Sequence, residues 1–349
     1  MTRILTEGFE LGDCVSFDGY AGSMIYGAST TQKRSGSYAL RTCSSYAHSQ
    51  IRLALPQDTT EFYLRWGFRI VGISTYGGNE LVAWYWRHGT TNLGRIALNY
   101  NGGSPIWIFY DGGGTARATS TYLIPKDTWY LFEIHVKIDD AGIYEFKTEG
   151  VQDAAMTWSG DTKPGADTHA DNLLLWMSNG NSGQDYYWDD IAVNDAASAP
   201  DNSWCGDGKI IAILPNGTIT NQLMGSDGNT TDNHLLVDDI PSNADTDYVE
   251  GSVVDEEDLY DFAACGIATS AVINRIWTES RSRDTVAAGG KVALVTKASG
   301  GSEVPGTDRV LTTSYARVLG DAQIVNPVDS GAWEPGDVDA LQAGVRTRS

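Results

Sequence analysis

The sequence predicts an all-β protein, and three observations carry that prediction. Short alternating segments follow one another through most of the chain, clusters of Gly, Asn, Asp, Ser and Thr separate them, and the Leu-rich periodicity of helices is scarce. The composition agrees: 39 Gly, 17 Tyr and 11 Trp among 349 residues favour turns and strand faces over helices. At this length two domains are expected, each long enough to bury a core.

In residues 1–197 the expected strands are 5–10, 38–43, 50–55, 61–71, 80–87, 95–100, 106–110, 129–138, 143–148, 172–177 and 186–193. Turn signals lie between them at Gly77-Gly78-Asn79, Asn101-Gly102-Gly103-Ser104, Asp111-Gly112-Gly113-Gly114 and Asp139-Asp140-Ala141-Gly142. The run 61–71 alternates, with Phe62, Leu64, Trp66, Phe68 and Ile70 on one face and Tyr63, Arg65 and Arg69 on the other. So many short strands in under 200 residues predict a two-sheet sandwich or jelly roll.

The last of these strands, Asp185-Tyr186-Tyr187-Trp188-Asp189-Asp190-Ile191-Ala192-Val193, is strongly β-forming. Period-two alternation puts Tyr187, Asp189, Ile191 and Val193 on one face, and Tyr186, Trp188, Asp190 and Ala192 on the other. Ile191 and Val193 mark the first set as core-facing, so Asp189 is expected to point inward and Asp190 outward into solvent. A buried carboxylate needs hydrogen-bond donors or a cation.

Residues 198–207 read as a linker, and 208–349 as a second, smaller β domain for docking or oligomerisation. From Ile210 to Asn274 there is no Lys or Arg, while acids gather at Asp238-Asp239, Asp245, Asp247, Glu250 and Asp255-Glu256-Glu257-Asp258. Strands are expected at 271–279, 291–297 and 311–319. The tail 333–346 is expected to be one short helix, with Pro335 near its start and Gly344 near its end.

The formal net charge of −21 repels nucleic acid and anionic membrane, so neither is expected as a partner. No run of eighteen apolar residues is present. The start of the chain lacks an apolar signal region, which predicts synthesis without ordinary secretion. The cysteines Cys14, Cys43, Cys205 and Cys265 form no Cys-x-x-Cys pair and no zinc spacing, so free thiols are expected.

Glu7-Gly8-Phe9-Glu10, Ser35-Gly36-Ser37-Tyr38-Ala39-Leu40-Arg41, Trp129-Tyr130-Leu131-Phe132-Glu133 and Trp188-Asp189-Asp190-Ile191-Ala192-Val193 occur in that order. The pattern resembles the laminin-G and concanavalin A-like lectin/glucanase superfamily over about residues 1–195. The second half carries Gly206-Asp207-Gly208-Lys209-Ile210-Ile211-Ala212-Ile213-Leu214-Pro215-Asn216-Gly217, then Val237-Asp238-Asp239-Ile240-Pro241 and Asp245-Thr246-Asp247-Tyr248-Val249. It ends in Trp333-x-Pro335-x-Asp337-Val338-Asp339-Ala340-Leu341-x-x-Gly344. This half is similar to tailed-bacteriophage virion proteins.

The two resemblances together imply a concanavalin A-like jelly-roll sandwich followed by a smaller C-terminal β domain ending in a short helix. They imply a structural protein of the virion, made in the host bacterial cytoplasm and bound to major capsid or tail subunits. A homo-oligomer is expected, a trimer if the protein is a decoration or spike protein. The alternatives are an adhesin that recognises a host glycan and a glycan-degrading enzyme.

Three chemistries follow from the resemblance. Glycoside hydrolysis needs two carboxylates about 5–9 Å apart, and the superfamily's glucanases place them along one strand as Glu-x-Asp-x-x-Glu. Residues 1–197 have no such strand, and the nearest approach, Glu256-x-Asp258-x-x-Asp261, lies in the other half and ends in Asp. A protein without enzymatic activity is therefore expected.

A structural calcium ion is the second. Carbohydrate-binding modules of similar shape imply Glu10, a carbonyl near Ser35, and Asp189 as ligands for Ca2+, which takes six to eight oxygens. The alternative is that Asp189 accepts loop N–H bonds with no metal. Asp227-x-Asn229-x-x-Asp232 also hints at a calcium loop, without the Glu that such a loop needs at its twelfth position.

Sugar stacking is the third, with Trp84, Tyr85, Trp86, Tyr100, Trp107, Tyr110 and Trp158 as candidates. Tyr85 must face away from Trp84 and Trp86, so one set belongs to the core. The loop aromatics Tyr76, Tyr122 and Trp158 are expected to be exposed. The histidines His48, His88, His135, His169 and His234 are scattered and belong to no catalytic motif.

Overall fold

The computed structural model describes all residues except 1–2, 15–18, 22–24, 44–48, 74–79, 101–103, 164, 178–182, 198 and 287–288. His48, Tyr76 and the turn signals at 77–79 and 101–103 lie outside the described residues. The chain divides into two compact units, Met1–Ile211 and Ala212–Ser349.

Among the described residues the first unit has sixteen strands. They begin with β1 (Arg3–Glu7), β2 (Gly19–Ala21), β3 (Ile25–Ser29), β4 (Ala39–Cys43), β5 (Ser49–Thr59) and β6 (Glu61–Gly72). Next come β7 (Glu80–His88), β8 (Thr91–Asn99), β9 (Ile106–Asp111), β10 (Ala116–Thr119) and β11 (Trp129–Lys137). The last are β12 (Gly142–Thr148), β13 (Val151–Gln152), β14 (Trp158–Gly160), β15 (Ala170–Met177) and β16 (Asp185–Asp195). One sheet runs β13-β12-β11-β6-β16-β4-β3, with β1 also on β16 and β14 on β12; the other runs β10-β9-β8-β7-β15-β5-β2. Every pairing is antiparallel, and the two sheets form the expected jelly-roll sandwich.

Alternation explains what lies between the sheets. β6 sends Phe62, Leu64, Trp66, Phe68 and Ile70 inward, as its sequence pattern predicts. From the opposite sheet Trp84, Trp86 and Trp107 meet them, with Trp66 edge-on to Trp107 at 5.5 Å and Phe68 at 4.5 Å from Trp188. Rings of this size bury some 150–250 Å² each, so a few of them dominate the stability of the sandwich.

Strand β16 departs from the expected alternation. Tyr186 and Trp188 face the core, and so do Ile191 and Val193. The parity changes at Asp189–Asp190, where the register with β6 shifts and Asp190 takes φ +51°. There the neighbour of β16 also changes: Trp188 pairs with Leu40 of β4, and Ile191 with Glu7 of β1. A one-residue bulge flips every following side chain to the other face. Two expectations are thereby corrected. Asp190 does not face solvent but is fully buried, and Asp189 is buried on the outer side of its sheet, not between the sheets.

The segment expected as a linker lies on the sandwich. Trp204 sits edge-on to Tyr63 at 5.4 Å and under the Lys147 ammonium at 4.0 Å. Cys205 is buried, and Gly206 N–H donates to Glu133 Oε1 at 2.8 Å. Apolar and polar partners on β6, β11 and β12 hold this stretch down, which a Ser/Asn/Gly-rich composition does not reveal.

In the second unit Pro215–Asn221, Glu257–Phe262, Gln342–Arg348, Lys291–Lys297 and Val304–Pro305 follow one another in a six-stranded sheet, with Arg309–Val310 also on Lys291–Lys297. The tail is corrected: the helix covers only Pro335–Asp339, and Gln342–Arg348 is a strand. Gly344 ends no helix; a Cβ there would collide with the Asp258 backbone of the neighbouring strand. The segment 271–279 makes isolated bridges at Ile273 and Ile276 in place of a strand. Likewise 311–319 narrows to Ala316–Leu319.

Candidate functional site

Two places in the first unit bring chemistry-bearing side chains together. The first is the bulge. Asp189 Oδ2 accepts the backbone N–H of Arg34 at 2.7 Å and of Ser35 at 3.1 Å, and Oδ1 accepts the N–H of Asp190 at 2.7 Å. Asp190 accepts Ser35 Oγ at 2.6 Å, the Ile210 N–H at 2.7 Å and Arg34 Nη1 at 2.7 Å. Arg34 crosses to it over Gly67, where a Cβ would lie 2.8 Å from the Arg34 side chain. Arg34 also pairs with Asp207 and donates to Gly208 O, and Arg65 donates to Asp190 O and Gly206 O at 3.0 Å each. The doubled aspartate thus clamps the segment 206–210 onto the sheet.

Glu10 sits beside this clamp. Its carboxylate accepts the N–H groups of Ser37 at 2.8 Å and Tyr38 at 3.2 Å. Gly36, at φ +56°, is the residue that lets the loop pass, since a Cβ would collide with that carboxylate. Burial pushes the Glu10 carboxyl up to about 7, against the N–H bonds that oppose it. Burial, then the charge of Asp190, raises Asp189 as well.

The oxygens of Glu10 and Asp189 are thus directed at N–H donors, and the positive charge is the Arg34 guanidinium. This is the arrangement named above as the alternative to calcium. Among the described residues no group of three His, Cys, Asp or Glu side chains is placed to hold a metal. Because the Glu10 and Asp189 carboxylates already accept N–H groups, chelation with EDTA is expected to leave the melting temperature unchanged; a Tm raised by added Ca2+ and lowered by EDTA would favour the calcium reading.

The second place is the outer face of the seven-stranded sheet. Trp84, Trp86, Ile96, Phe109, Leu173 and Leu175 point into the core, so their neighbours point out. Across the strands Ala116, Tyr110, Arg95, Tyr85, Leu174 and Arg52 are successive partners in one row. Thr119, Ile108, Ala97, Ala83, Trp176 and Gln50 form the next. The Arg95 guanidinium lies 4.1 Å from the Tyr110 ring centre and 5.5 Å from that of Tyr85, and Arg87 lies 5.2 Å from Tyr85. Trp176 stands edge-on to Tyr85 at 6.4 Å.

Glu80 accepts from Arg95 Nε and Nη2 at 3.2 Å and from the Tyr85 hydroxyl at 3.3 Å, while Asn99 donates to the Tyr110 hydroxyl at 2.7 Å. Burial, then the Glu80 charge, pushes the Tyr85 phenol up to about 12, although Arg95 and Arg87 oppose the shift.

Of the aromatic candidates, Trp84, Trp86 and Trp107 belong to the core, Tyr100 packs against it, and Tyr85 and Tyr110 face out. Trp158 packs on Tyr144 at 5.4 Å, and Tyr122 is exposed. Sequence reasoning missed Trp176, Arg95, Arg87 and Glu80. The signal that could have found them is phase: whatever alternates with the Trp84/Trp86 pair must share a face with Tyr85.

The remaining polar candidates are engaged in structure. Asp258 is fully buried and accepts from Leu223 N, Asn233 Nδ2 and the Tyr260 hydroxyl, while Glu256 caps the N–H groups of Ser252 and Val253. Asn229 donates to Asp227 and accepts from Thr231, closing its own turn. His88 and His169 meet at 4.4 Å between ring centres, beside Asp167 and Asp58. The four cysteines are free thiols.

No protein-family model matches the sequence, and no curated protein does. Solved structures similar to it include a cellulose-induced protein, Cip1 (15% identity, TM-score 0.45, 58% of this chain and 100% of that one). An endo-β-1,4-glucuronan lyase from the fungus Trichoderma reesei aligns at 11% identity and TM-score 0.45, over 58% of this chain and 100% of its own. The VIP36 exoplasmic/lumenal domain, in a Ca2+/Man3GlcNAc-bound form, aligns at 12% identity and TM-score 0.37, over 53% of this chain and 85% of its own.

The expectation of a protein without enzymatic activity is corrected: glycan-cleaving enzymes are among the solved structures similar to the chain, and the lack of a paired-carboxylate strand speaks only to one kind of glycoside hydrolysis.

Proposed function

We propose that the first unit engages carbohydrate across the outer face of its seven-stranded sheet. One observation carries this reading: Trp176, Tyr85 and Tyr110 are gathered on two neighbouring cross-strand rows, among the hydrogen-bonding side chains of Gln50, Arg52, Arg95 and Asn99. Flat apolar rings suit the C–H faces of a pyranose, and the polar groups around them suit its hydroxyls.

Glycan-array binding or affinity electrophoresis is expected to detect this, and Trp176→Ala to weaken it roughly tenfold, about 1.4 kcal/mol. Binding unchanged by Trp176→Ala and Tyr110→Ala would sink the assignment of this face.

A second reading, glycan cleavage, is favoured by the position of Tyr85, whose hydroxyl donates to Glu80 with two guanidiniums over its ring, a polar cluster on the same face as the aromatic rows. Release of new chain ends, lost in Tyr85→Phe while binding persists, would support it.

The wider setting we propose follows the residue pattern of 185–349. The protein belongs to a tailed-phage particle, with the second unit docking to another virion subunit or to further copies of itself. Exposed apolar side chains there, such as Val272 (82% exposed) and Val310 (67%), support a docking role. Mass spectrometry of purified particles tests this setting, and absence of the chain from them would refute it.

A further inference from the structure

We infer that the ligand of the outer face is an anionic glycan, one bearing carboxylate or sulfate groups; the inference rests on the carbohydrate reading and gives its chemical class. The first unit holds fifteen Lys and Arg against twenty-four Asp and Glu, so its surface is on balance acidic. The outer face reverses that balance. Its two rows and the flanking outward positions Arg87, Asn92 and Asn99 carry three guanidiniums, with Glu80 as their one carboxylate. Glu80 is spent on Arg95 and the Tyr85 hydroxyl, and Arg87 donates to the neutral Asn92 at 2.5 Å. Arg52, which pairs with Leu174 on one side and Gly19 of β2 on the other, is exposed.

The way these cations are held points the same way. Arg95 and Arg87 lie over the Tyr85 ring, with Arg95 also over Tyr110, so the flat faces of the guanidiniums are occupied by rings. Arg95 gives Nε and Nη2 to Glu80 and Arg87 gives Nε to Asn92, so stacking and these bonds fix the direction of the remaining Nη–H groups, which suit the oxygens of a carboxylate or a sulfate. A neutral chain would desolvate Arg87 and Arg52 without compensating their charge. An acidic chain offsets that cost residue by residue, and its rings still stack on Trp176.

Affinity electrophoresis and calorimetry with the full chain test this, using a polyglucuronate, a sulfated chondroitin chain, a neutral β-glucan and single-stranded DNA of similar length. Binding to one or both acidic glycans is expected, tenfold or more tighter than to the neutral glucan, and falling as NaCl rises. The preferred arm tells carboxylate from sulfate. Arg95→Gln is expected to weaken binding about tenfold, and Arg95→Lys to recover only part of it, because charge is kept and the planar edge is lost. Should Arg95→Gln unfold the protein, Arg52→Gln at the exposed position gives the same reading with a severalfold loss.

Equal, salt-insensitive binding of the neutral glucan would overturn the inference and leave the carbohydrate reading standing. DNA bound as tightly as the acidic glycans would overturn it too, as non-selective charge attraction. Failure of every glycan would overturn both.

Discussion

Asp190→Ala is expected to destabilise the first unit by about 3–5 kcal/mol, the cost typical of breaking a buried ion pair by removing one partner. The side chain has no solvent exposure, and its two oxygens serve three donors: Ser35 Oγ, the Ile210 N–H and the Arg34 guanidinium. Its loss leaves Arg34, 11% exposed, with the Asp207 carboxylate and the Gly208 carbonyl as its partners and leaves the Ile210 N–H buried with only the Ser35 hydroxyl nearby. Unpaired buried donors cost more than the bonds they formed, because water does not replace the lost partner.

Urea denaturation should therefore show a lower midpoint with an unchanged slope. Limited proteolysis should begin within 201–211, the segment that the clamp holds. Asp190→Asn, which keeps an acceptor but no charge, should fall between the two. A loss below about 1 kcal/mol for the alanine variant, the net worth of one ordinary hydrogen bond, would mean that the clamp is not what holds this segment.

The second large effect is with pH. Glu10 is raised from an ordinary 4.5 to about 7, so between those values the folded protein holds a proton that the unfolded chain has released. Folding is then favoured by acid: the stability is present in full below about pH 4.5 and is lost as pH rises through 7. Asp189, raised by burial and by its charged neighbour, adds to the same trend. The Arg34 guanidinium is paired with Asp190, whereas Asp189 has only backbone N–H partners, so its burial is not offset by a cation of its own.

A decline on the order of 2–3 kcal/mol between about pH 5 and pH 8 is expected for Glu10, since a tenfold change in proton affinity is worth about 1.4 kcal/mol. Glu10→Gln should flatten that part of the profile and match or exceed the parent at the alkaline end. Stability that rises over the same range would show that these carboxylates are ionised in the fold and have a cation for a partner.

Individual residues show where the sequence could be read and where it could not. The face of β6 is legible because five apolar side chains alternate without interruption, and Lys291–Lys297 in the second unit is legible as a short apolar run between two lysines. The aromatic strand β7 is half legible: parity separates Tyr85 from Trp84 and Trp86, but parity does not say which set is inside. At Asp189–Asp190 parity fails outright. Ile191 is a false guide to the first half of its strand, because a bulge stands between it and Trp188. Nothing in a run of two aspartates announces such a bulge; it exists because Arg34, Ser35 and Ile210, distant in sequence, converge on those carboxylates. The stretch 198–207 is illegible for a similar reason, since Trp204 is apolar enough to dock yet its partners Tyr63 and Lys147 come from two other strands.

What the sequence determined by itself is the class of fold: many short alternating strands, turn residues between them, and aromatic side chains enough to fill the space between two sheets. Those signals are local, and local signals survive in one dimension. The outer-face rows that gather Tyr110, Arg95, Tyr85 and Arg52, and the clamp built on Asp190, were decided by the tertiary structure alone. Each depends on which strands lie side by side and in which register, and register in an antiparallel sheet is set by pairings between residues far apart in the chain.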